Sequence, residues 1–519
     1  MDRQEEHDYV IVGAGSAGCV LARRLIERTG ARVLLLEAGG PDDRAVVHRT
    51  DIPSTASMWD RPEYVWPYLT TPQPGLEGRR IPLPQGRLLG GGSSVNAMMY
   101  VRGNRRDFDG WQARGNTGWG YRDVLPYFTR AEAFADAGAD GDGYRGTAGP
   151  LSVVGYEDPS PVARAFVAAA LETGLAAGEG DYNAERQEDT AFYYQSTRTK
   201  DDQRCSTSVA YLGPVLADPR LTVRTDASVQ QVLLRDGRAV GVRYLHQGVV
   251  RQALAGSEVV LAAGALATPK LLMLSGIGPA EQLRGHGIRT LVDLPGVGRN
   301  LQDHLLVGIA FESLVDLPFP QLLSEAGLVT ATGRDSGADD PDLQFFFGPV
   351  QFVDDTFKTD GPGFTFAPIV VQPRSRGSVT LASDRPEDLP VVDPHYLEHP
   401  ADLEVLVRGL ELARELAGRP AFAPFAGREL APGAEARRSE LEAYVRAYAS
   451  TVWHPVGTCR MGVHEDCVVD PALRVRGVDG LRVVDASIMP TITRGNTNAA
   501  AIMIGEKAAD LVAPATRPA

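Results

Sequence analysis

The hydrophobic and polar positions of the chain change period several times, and each change predicts a different element. Tyr9-Val10-Ile11-Val12 and Val33-Leu34-Leu35-Leu36 are short, nearly continuous apolar runs, the pattern of strands buried on both faces. Between them Val20, Leu21 and Leu25 share one helical face, while Arg23, Arg24, Glu27 and Arg28 fall largely on the other. Residues 221–244, LTVRTDASVQQVLLRDGRAVGVRY, alternate like strands around a hairpin, with Asp236-Gly237 as its turn. Glu258 to Gly264 is again a buried strand, running into a helix over 267–275 with Pro269 near its start. From Leu305 to Val392 the pattern becomes apolar, aromatic or alternating between turns, as in Asp342–Phe347 and Phe364–Gln372, and predicts an antiparallel sheet. A helix over 402–416 follows. Leu481–Asp485 and Asn498–Val512 then read as strand, loop and helix. The α/β character of the start therefore returns at the end. The expected fold class is mixed α/β, with two domains for a chain of 519 residues. A Rossmann-like nucleotide domain is assembled from residues 1–155, 196–305 and 455–519. A substrate domain on an antiparallel sheet flanked by helices is inserted as 156–195 and 306–454.

The turn after the first strand carries the chemistry. Gly13-Ala14-Gly15-Ser16-Ala17-Gly18 fits GxGxxG between strand and helix. Gly13 permits the tight turn, Gly15 lets a pyrophosphate approach the backbone, and Gly18 lets helix and strand pack closely. The helix N-terminus offers unpaired N–H groups and a positive dipole end to phosphate. Glu37 ends the second strand nineteen residues after Gly18, where a carboxylate accepts from ribose hydroxyls; an acid here argues against a 2′-phosphate. Gly90-Gly91-Gly92 followed by Ser93-Ser94 is a second loop that exposes successive N–H groups to a ligand.

Composition narrows the partners. A formal charge of −14 offers no basic patch for nucleic acid or an anionic membrane. No apolar run approaches the ~18 residues of a membrane span, and the acidic start MDRQEEHDYV lacks the form of a signal peptide. Cys19, Cys205, Cys459 and Cys467 form no CxxC, which fits a reducing, cytoplasmic setting. Cys459, His464 and Cys467 lack a fourth ligand, so no metal is expected.

Five blocks together resemble the glucose–methanol–choline family of flavin oxidoreductases: GRLLGGGSSVNAMMYVRGN (86–104), AAGALATPKLLMLSGIGP (262–279), GVGRNLQDH (296–304), WHPVGTCRMG (453–462) and the stretch 485–510 containing GNTNAAAIMIGEKAAD. They stand in the family's order across the whole chain, and the flavour is that of bacterial choline-dehydrogenase-like and aryl or furfuryl alcohol oxidase-like members. The resemblance implies FAD rather than a diffusible nicotinamide. It implies cofactor contacts from Gly13, Gly15, Ser16, Ala17, Gly18, Glu37, Ala38, Trp66, Arg87, Gly91, Gly92, Ser93, Asn96, Ala97 and Met98. Further contacts are expected from Val229, Ala263, Gly264, Trp453, Asp485, Ala486, Asn498 and Ala499. It assigns His454 as the base and Asn498 as its partner. A histidine near neutral pKa suits removal of a hydroxyl proton, and a neutral amide orients the alcohol oxygen. Asn498 also opens the last helix, whose positive end favours negative charge on reduced flavin. The position at which some members attach FAD through histidine is Val95, so FAD is expected to be noncovalent.

The implied reaction is oxidation of an alcohol, expected to be primary and either aromatic or another small organic alcohol, to the aldehyde, with oxygen or a quinone-type acceptor reoxidising the flavin. Trp453, Phe346 and Phe364 are the expected substrate-pocket residues. Hydroxynitrile cleavage, light-driven decarboxylation and sugar or aminoglycoside oxidation on the same scaffold stay open, as do monomer and homodimer.

Overall fold

A computed structural model describes residues 5–136, 143–333 and 340–513. Its first unit is strand β1 (Glu5–Val12), helix α1 (Ser16–Arg28) and strand β2 (Val33–Leu36). β1 and β2 pair in parallel, and β1 also pairs in parallel with the C-terminal half of β3 (Val249–Leu261). Leu221–Arg224 adds to the outer edge of β2, and Leu481–Val483 joins the far side of β3, both parallel. The hairpin 227–235/238–246, turning at Asp236-Gly237, completes a seven-stranded sheet through antiparallel pairing with the N-terminal half of β3. The mixed α/β class expected from the sequence is the class observed.

Val10, Ile11, Leu34, Leu35, Val259 and Val260 are fully buried, which is why these strands read as unbroken apolar runs. Helix α2 (Gly264–Leu274) leaves the end of β3, and α3 (Asn498–Val512) packs along α1. Glu506 of α3 has a fully buried carboxylate that takes Arg24 of α1 and Arg130 of helix 121–131, both at 2.7 Å. Removing one partner would strand a buried charge, so this cluster locks the last helix to the first.

The second sheet has nine strands and is almost wholly antiparallel. Its centre is 326–330, 343–348 and 363–370, with 309–313 and 426–431 at one side and 190–193 and 178–179 at the other. Two-residue strands β4 (Leu305–Leu306), pairing with β5 (Gly363–Val370), and β6 (Ser450–Thr451), pairing with β4, bring two distant chain segments side by side. Helices 161–172 and 400–417 cover one face over a cluster of Phe166, Phe345, Phe347, Phe364, Phe366 and Phe422. Phe346, Thr365 and Ala367 of the second sheet line a cavity that they share with the strand ends of the first sheet. No helix among the described residues is long and apolar enough to cross a membrane.

Candidate active site

The site lies where the carboxyl ends of four parallel strands meet the inner face of the second sheet, the crevice such open sheets leave for ligands. Gly13 follows β1, Glu37 follows β2, Ala262-Ala263-Gly264 follows β3 and Asp485 follows 481–483. Gly13 has φ +101°, and a Cβ there would stand 2.5 Å from the Ala262 carbonyl oxygen. No side chain caps the first turn of α1, so its N–H groups are left for a ligand. The triple-glycine loop docks on the same turn: Gly90 N–H donates to the Ala14 carbonyl at 2.8 Å. Gly91, at φ +52°, would place a Cβ 2.7 Å from the Gly15 Cα. The two glycine loops therefore form one backbone cradle.

The Glu37 carboxylate accepts the N–H of Ala14 and of Gly39, each at 2.9 Å. Burial pushes it up to about 7 against the pull of those two donors. Asp485 is buried as well, accepting from Gly264 N–H (2.9 Å), the Thr268 hydroxyl (2.6 Å) and Ser487 N–H (2.8 Å), and its pKa too is raised by burial.

A single cavity of about 650 Å³ runs from this cradle to the second sheet. Of the residues expected at the cofactor and catalytic site, its wall contains Gly13, Gly15, Ser16, Ala17, Glu37, Ala38, Trp66, Gly91, Gly92, Asn96, Ala97, Met98, Val229, Ala263, Gly264, Trp453, His454, Asp485, Ala486 and Asn498. Phe346 is there too. Five expected residues lie outside the wall, each for a visible reason. Gly18 faces the loop, where a Cβ would meet the Gly13 carbonyl oxygen at 2.0 Å. Arg87 turns outward over the Trp66 ring, 4.6 Å from its centroid. Ser93 points into the loop, donating to the Gly90 carbonyl at 2.6 Å and lying 2.9 Å from the Thr207 hydroxyl oxygen. Ala499 is buried against the nucleotide core. Phe364 belongs to the phenylalanine cluster under the helices, because alternation along β5 turns Thr365 and Ala367 to the cavity and Phe364 and Phe366 away.

His454 sits on a strained turn. Trp453 has φ +62°, uncommon for a bulky residue. Two bonds hold the turn: Trp453 N–H donates to the Thr451 hydroxyl (2.8 Å) and His454 N–H to Asp303 Oδ1 (2.7 Å). Asp303 is buried. Its Oδ1 also takes His304 N–H (3.0 Å), and its Oδ2 takes the Tyr396 hydroxyl (2.5 Å) and the Thr451 hydroxyl. Burial raises Asp303 to about 6. The His454 ring meets the His304 ring edge-on, Nδ1 to Nδ1 at 3.1 Å. Burial pushes His454 down to about 3, well below the near-neutral value expected of a base, and pushes His304 well below the usual range. Both rings are therefore neutral at pH 7. Asn498 is the first residue of α3, with Thr497 at the N-cap, and its amide donates to Ser16 Oγ at 2.8 Å.

Sequence reasoning passed over Asp303 and His304, although both end the stretch GVGRNLQDH. It also passed over Trp59 and Leu306 in the cavity wall. Trp59 packs on Trp453 at 4.7 Å between centroids and anchors its indole N–H on the Val95 carbonyl (2.8 Å). The available signal for both was their place at the end of GVGRNLQDH, one of the blocks that carry the family resemblance. Nothing local marked Trp59. Among the described residues no group of His, Cys, Asp and Glu is disposed to hold a metal.

The strand ends thus bring an uncapped helix N-terminus and two glycine loops, a geometry that can hold a dinucleotide, into one cavity with a histidine, and comparison with known proteins gives the class. Two family profiles described as GMC oxidoreductase match residues 7–306 and 373–505. The chain belongs to the GMC oxidoreductase family and is an enzyme. It is 40% identical to an alcohol dehydrogenase [acceptor] of Pseudomonas putida, over 98% of this chain and 95% of that one. It is 40% identical to the mitochondrial choline dehydrogenase of Homo sapiens, over 98% and 90%. Among solved structures, pyridoxine 4-oxidase from Mesorbium loti superposes with a TM-score of 0.91 at 34% identity, covering 97% of this chain and 98% of that one.

Proposed function

We propose that this FAD-dependent alcohol oxidoreductase oxidises a neutral, largely apolar primary alcohol to the aldehyde, with FAD held noncovalently. The observation that carries the reading is the continuity of one cavity from the glycine cradle to His454 and Asn498, closed beyond them by apolar side chains. The cradle suits FAD: the uncapped N–H groups of α1 and the Gly91–Gly92 loop would hold a pyrophosphate, and the Glu37 carboxylate would accept from a ribose. Among the described residues the cavity wall has no cysteine and one histidine, His454, while Val95 stands in the glycine-loop block, which supports noncovalent binding.

Bound FAD supplies a two-electron acceptor for the α-hydride. The protein's own part is to bind, orient and deprotonate the alcohol. His454 is neutral and so free to take the hydroxyl proton, and the Asn498 amide stands in the same wall as an orienting group. Leu306, Leu323, Phe346, Val350, Ala367 and Val452 close the substrate end. The Thr365 hydroxyl there is already bonded to the Val350 carbonyl (2.6 Å) and Phe352 N–H (2.9 Å). Among the described residues the carboxylates of the wall are Glu37 and Asp485, both at the strand ends, so a cationic alcohol would find no described counter-ion at the substrate end.

The test is anaerobic mixing of the yellow enzyme with a panel of alcohols. Aliphatic and aryl primary alcohols should bleach the flavin at limiting rates well above those for choline or a sugar. Bleaching by choline alone would overturn the substrate reading. No bleaching by any alcohol would favour the lyase or decarboxylase use of the scaffold. Acid precipitation should release yellow flavin into the supernatant, and flavin retained in the pellet would contradict noncovalent binding. Oxygen and a quinone-type dye offered in parallel identify the acceptor.

A further inference from the structure

We infer that His304 is a positioning residue that fixes the proton of neutral His454 on Nδ1 and leaves Nε2 of His454 as the basic atom. The inference rests on the reading of His454 as the base, and it deepens that reading by naming the atom and the group that selects it.

The argument is a count of protons along a three-member chain. His304 Nε2 lies 3.3 Å from the carbonyl oxygen of Val371, the residue after β5. A carbonyl only accepts, so that nitrogen carries the hydrogen. A neutral imidazole has one N–H, so His304 Nδ1 presents a lone pair. His454 Nδ1 faces that lone pair at 3.1 Å, so His454 Nδ1 is the donor. The second nitrogen of His454, Nε2, is then bare. Val371 is fixed in turn by its own N–H, which donates to the Asp342 carbonyl at 2.9 Å.

The surrounding charges leave the count intact. The carboxylate packed against both histidines is Asp303, and its oxygens are occupied by the backbone N–H groups of His304 and His454 and by the hydroxyls of Tyr396 and Thr451. No hydrogen bond joins it to a ring nitrogen of either histidine. The division of labour is clear: Asp303 holds the two backbones, and His304 sets the tautomer.

In the reaction the O–H bond of the alcohol breaks and its proton forms an N–H bond at His454 Nε2. FAD held by the glycine cradle would supply the acceptor for the α-hydride and its two electrons, so that loss of the proton and the hydride together leaves the aldehyde. His454 is then a cation whose Nδ1–H donates to the His304 lone pair, a stronger bond than in the resting state. The arrangement therefore favours the transition state over the ground state.

The test uses holoenzyme labelled with ¹⁵N-histidine, with the two rings assigned by their loss in His454→Ala and His304→Ala. The expected spectrum at neutral pH shows opposite tautomers: His454 protonated on Nδ1 and His304 on Nε2. His454 protonated on Nε2, or exchanging between tautomers, overturns the inference. Kinetics supply the second arm. His304→Leu removes the acceptor and should lower the limiting flavin-reduction rate by at least ~10-fold, toward the loss of a misoriented general base. Its KM should change less than about threefold. In His304→Asn the amide oxygen can accept in place of Nδ1 and should restore the rate to within about threefold of wild type. Equal rates in the Leu and Asn variants overturn the positioning role even with the expected spectrum. If His304→Leu does not fold, the wild-type spectrum and the Asn variant decide. Full-rate reduction in His454→Ala would overturn the base reading separately, since the tautomer spectrum does not depend on turnover.

Discussion

Asp303 offers a perturbation whose outcome depends on which of its two oxygens is lost. Oδ1 accepts two backbone N–H groups, of His304 and His454, which cannot rotate to other partners. Oδ2 accepts two hydroxyls, of Tyr396 and Thr451, which can turn and accept instead. Asp303→Asn keeps an acceptor for the amides and presents an NH₂ group to the hydroxyls. It exchanges two charge-assisted bonds for neutral ones, a difference of roughly 1–2 kcal/mol, and it also relieves the burial of a carboxylate. Asp303→Ala leaves two buried amides unpaired at about 1–3 kcal/mol each, or ~2–6 kcal/mol together. With a specific unfolding entropy of ~2.1 cal/mol/K per residue, unfolding of the whole chain as one unit converts this to a midpoint lowered by about 2–6 °C. Losing the His454 bond also frees the positive-φ turn at Trp453, so the Ala variant should reduce its flavin at least ~10-fold more slowly, whereas the Asn variant should stay near wild type. Differential scanning fluorimetry of the flavin-loaded proteins and anaerobic stopped-flow reduction read the two effects. Asn and Ala variants that melt together and reduce alike would show that the backbone contacts of Oδ1 do not position His454.

Four further outcomes are expected. His454→Ala should lower the limiting reduction rate by at least ~10²-fold. Because burial lowers the pKa of this histidine to about 3, its own protonation should add no limb to the wild-type rate between pH ~5 and ~9; Asp303, raised to about 6, is the group that can titrate there, so a limb near neutrality that persists in Asp303→Asn would contradict the environment described. Glu37→Ala should weaken FAD retention by ~1–3 kcal/mol in titration of the apoprotein, since the carboxylate both lines the cavity and holds the Ala14 and Gly39 amides; unchanged affinity would remove it from the site. Gly91→Ala should purify with much less flavin, because a Cβ at φ +52° stands against Gly15; a fully loaded Gly91→Ala protein would mean that the two glycine loops can separate freely.

What could be read without the fold is what short-range chemistry determines. GAGSAG between an apolar run and an amphipathic helix specifies a strand–turn–helix, because glycine backbone freedom and helix-end N–H groups are properties of adjacent residues. Asp236-Gly237 specifies its turn for the same reason. The order of motif blocks carried the family, and with it His454 and Asn498. What the tertiary structure decided are matters of burial and of contacts between distant segments. Phe346 and Phe364 look alike in the chain, yet strand alternation sends one to the cavity and the other to the core. Glu37 and Arg87 were both expected at the cofactor, but only Glu37 is enclosed by backbone donors, while Arg87 stacks outward on Trp66. A histidine's pKa follows from the dielectric around it, so His454 read as a base of near-neutral pKa, whereas its surroundings in the fold push that value down. Its partners, Asp303 and His304, lie some 150 residues away along the chain. The pairing of β4 with β6 brings them to the WHP turn, and no local period or spacing encodes that meeting.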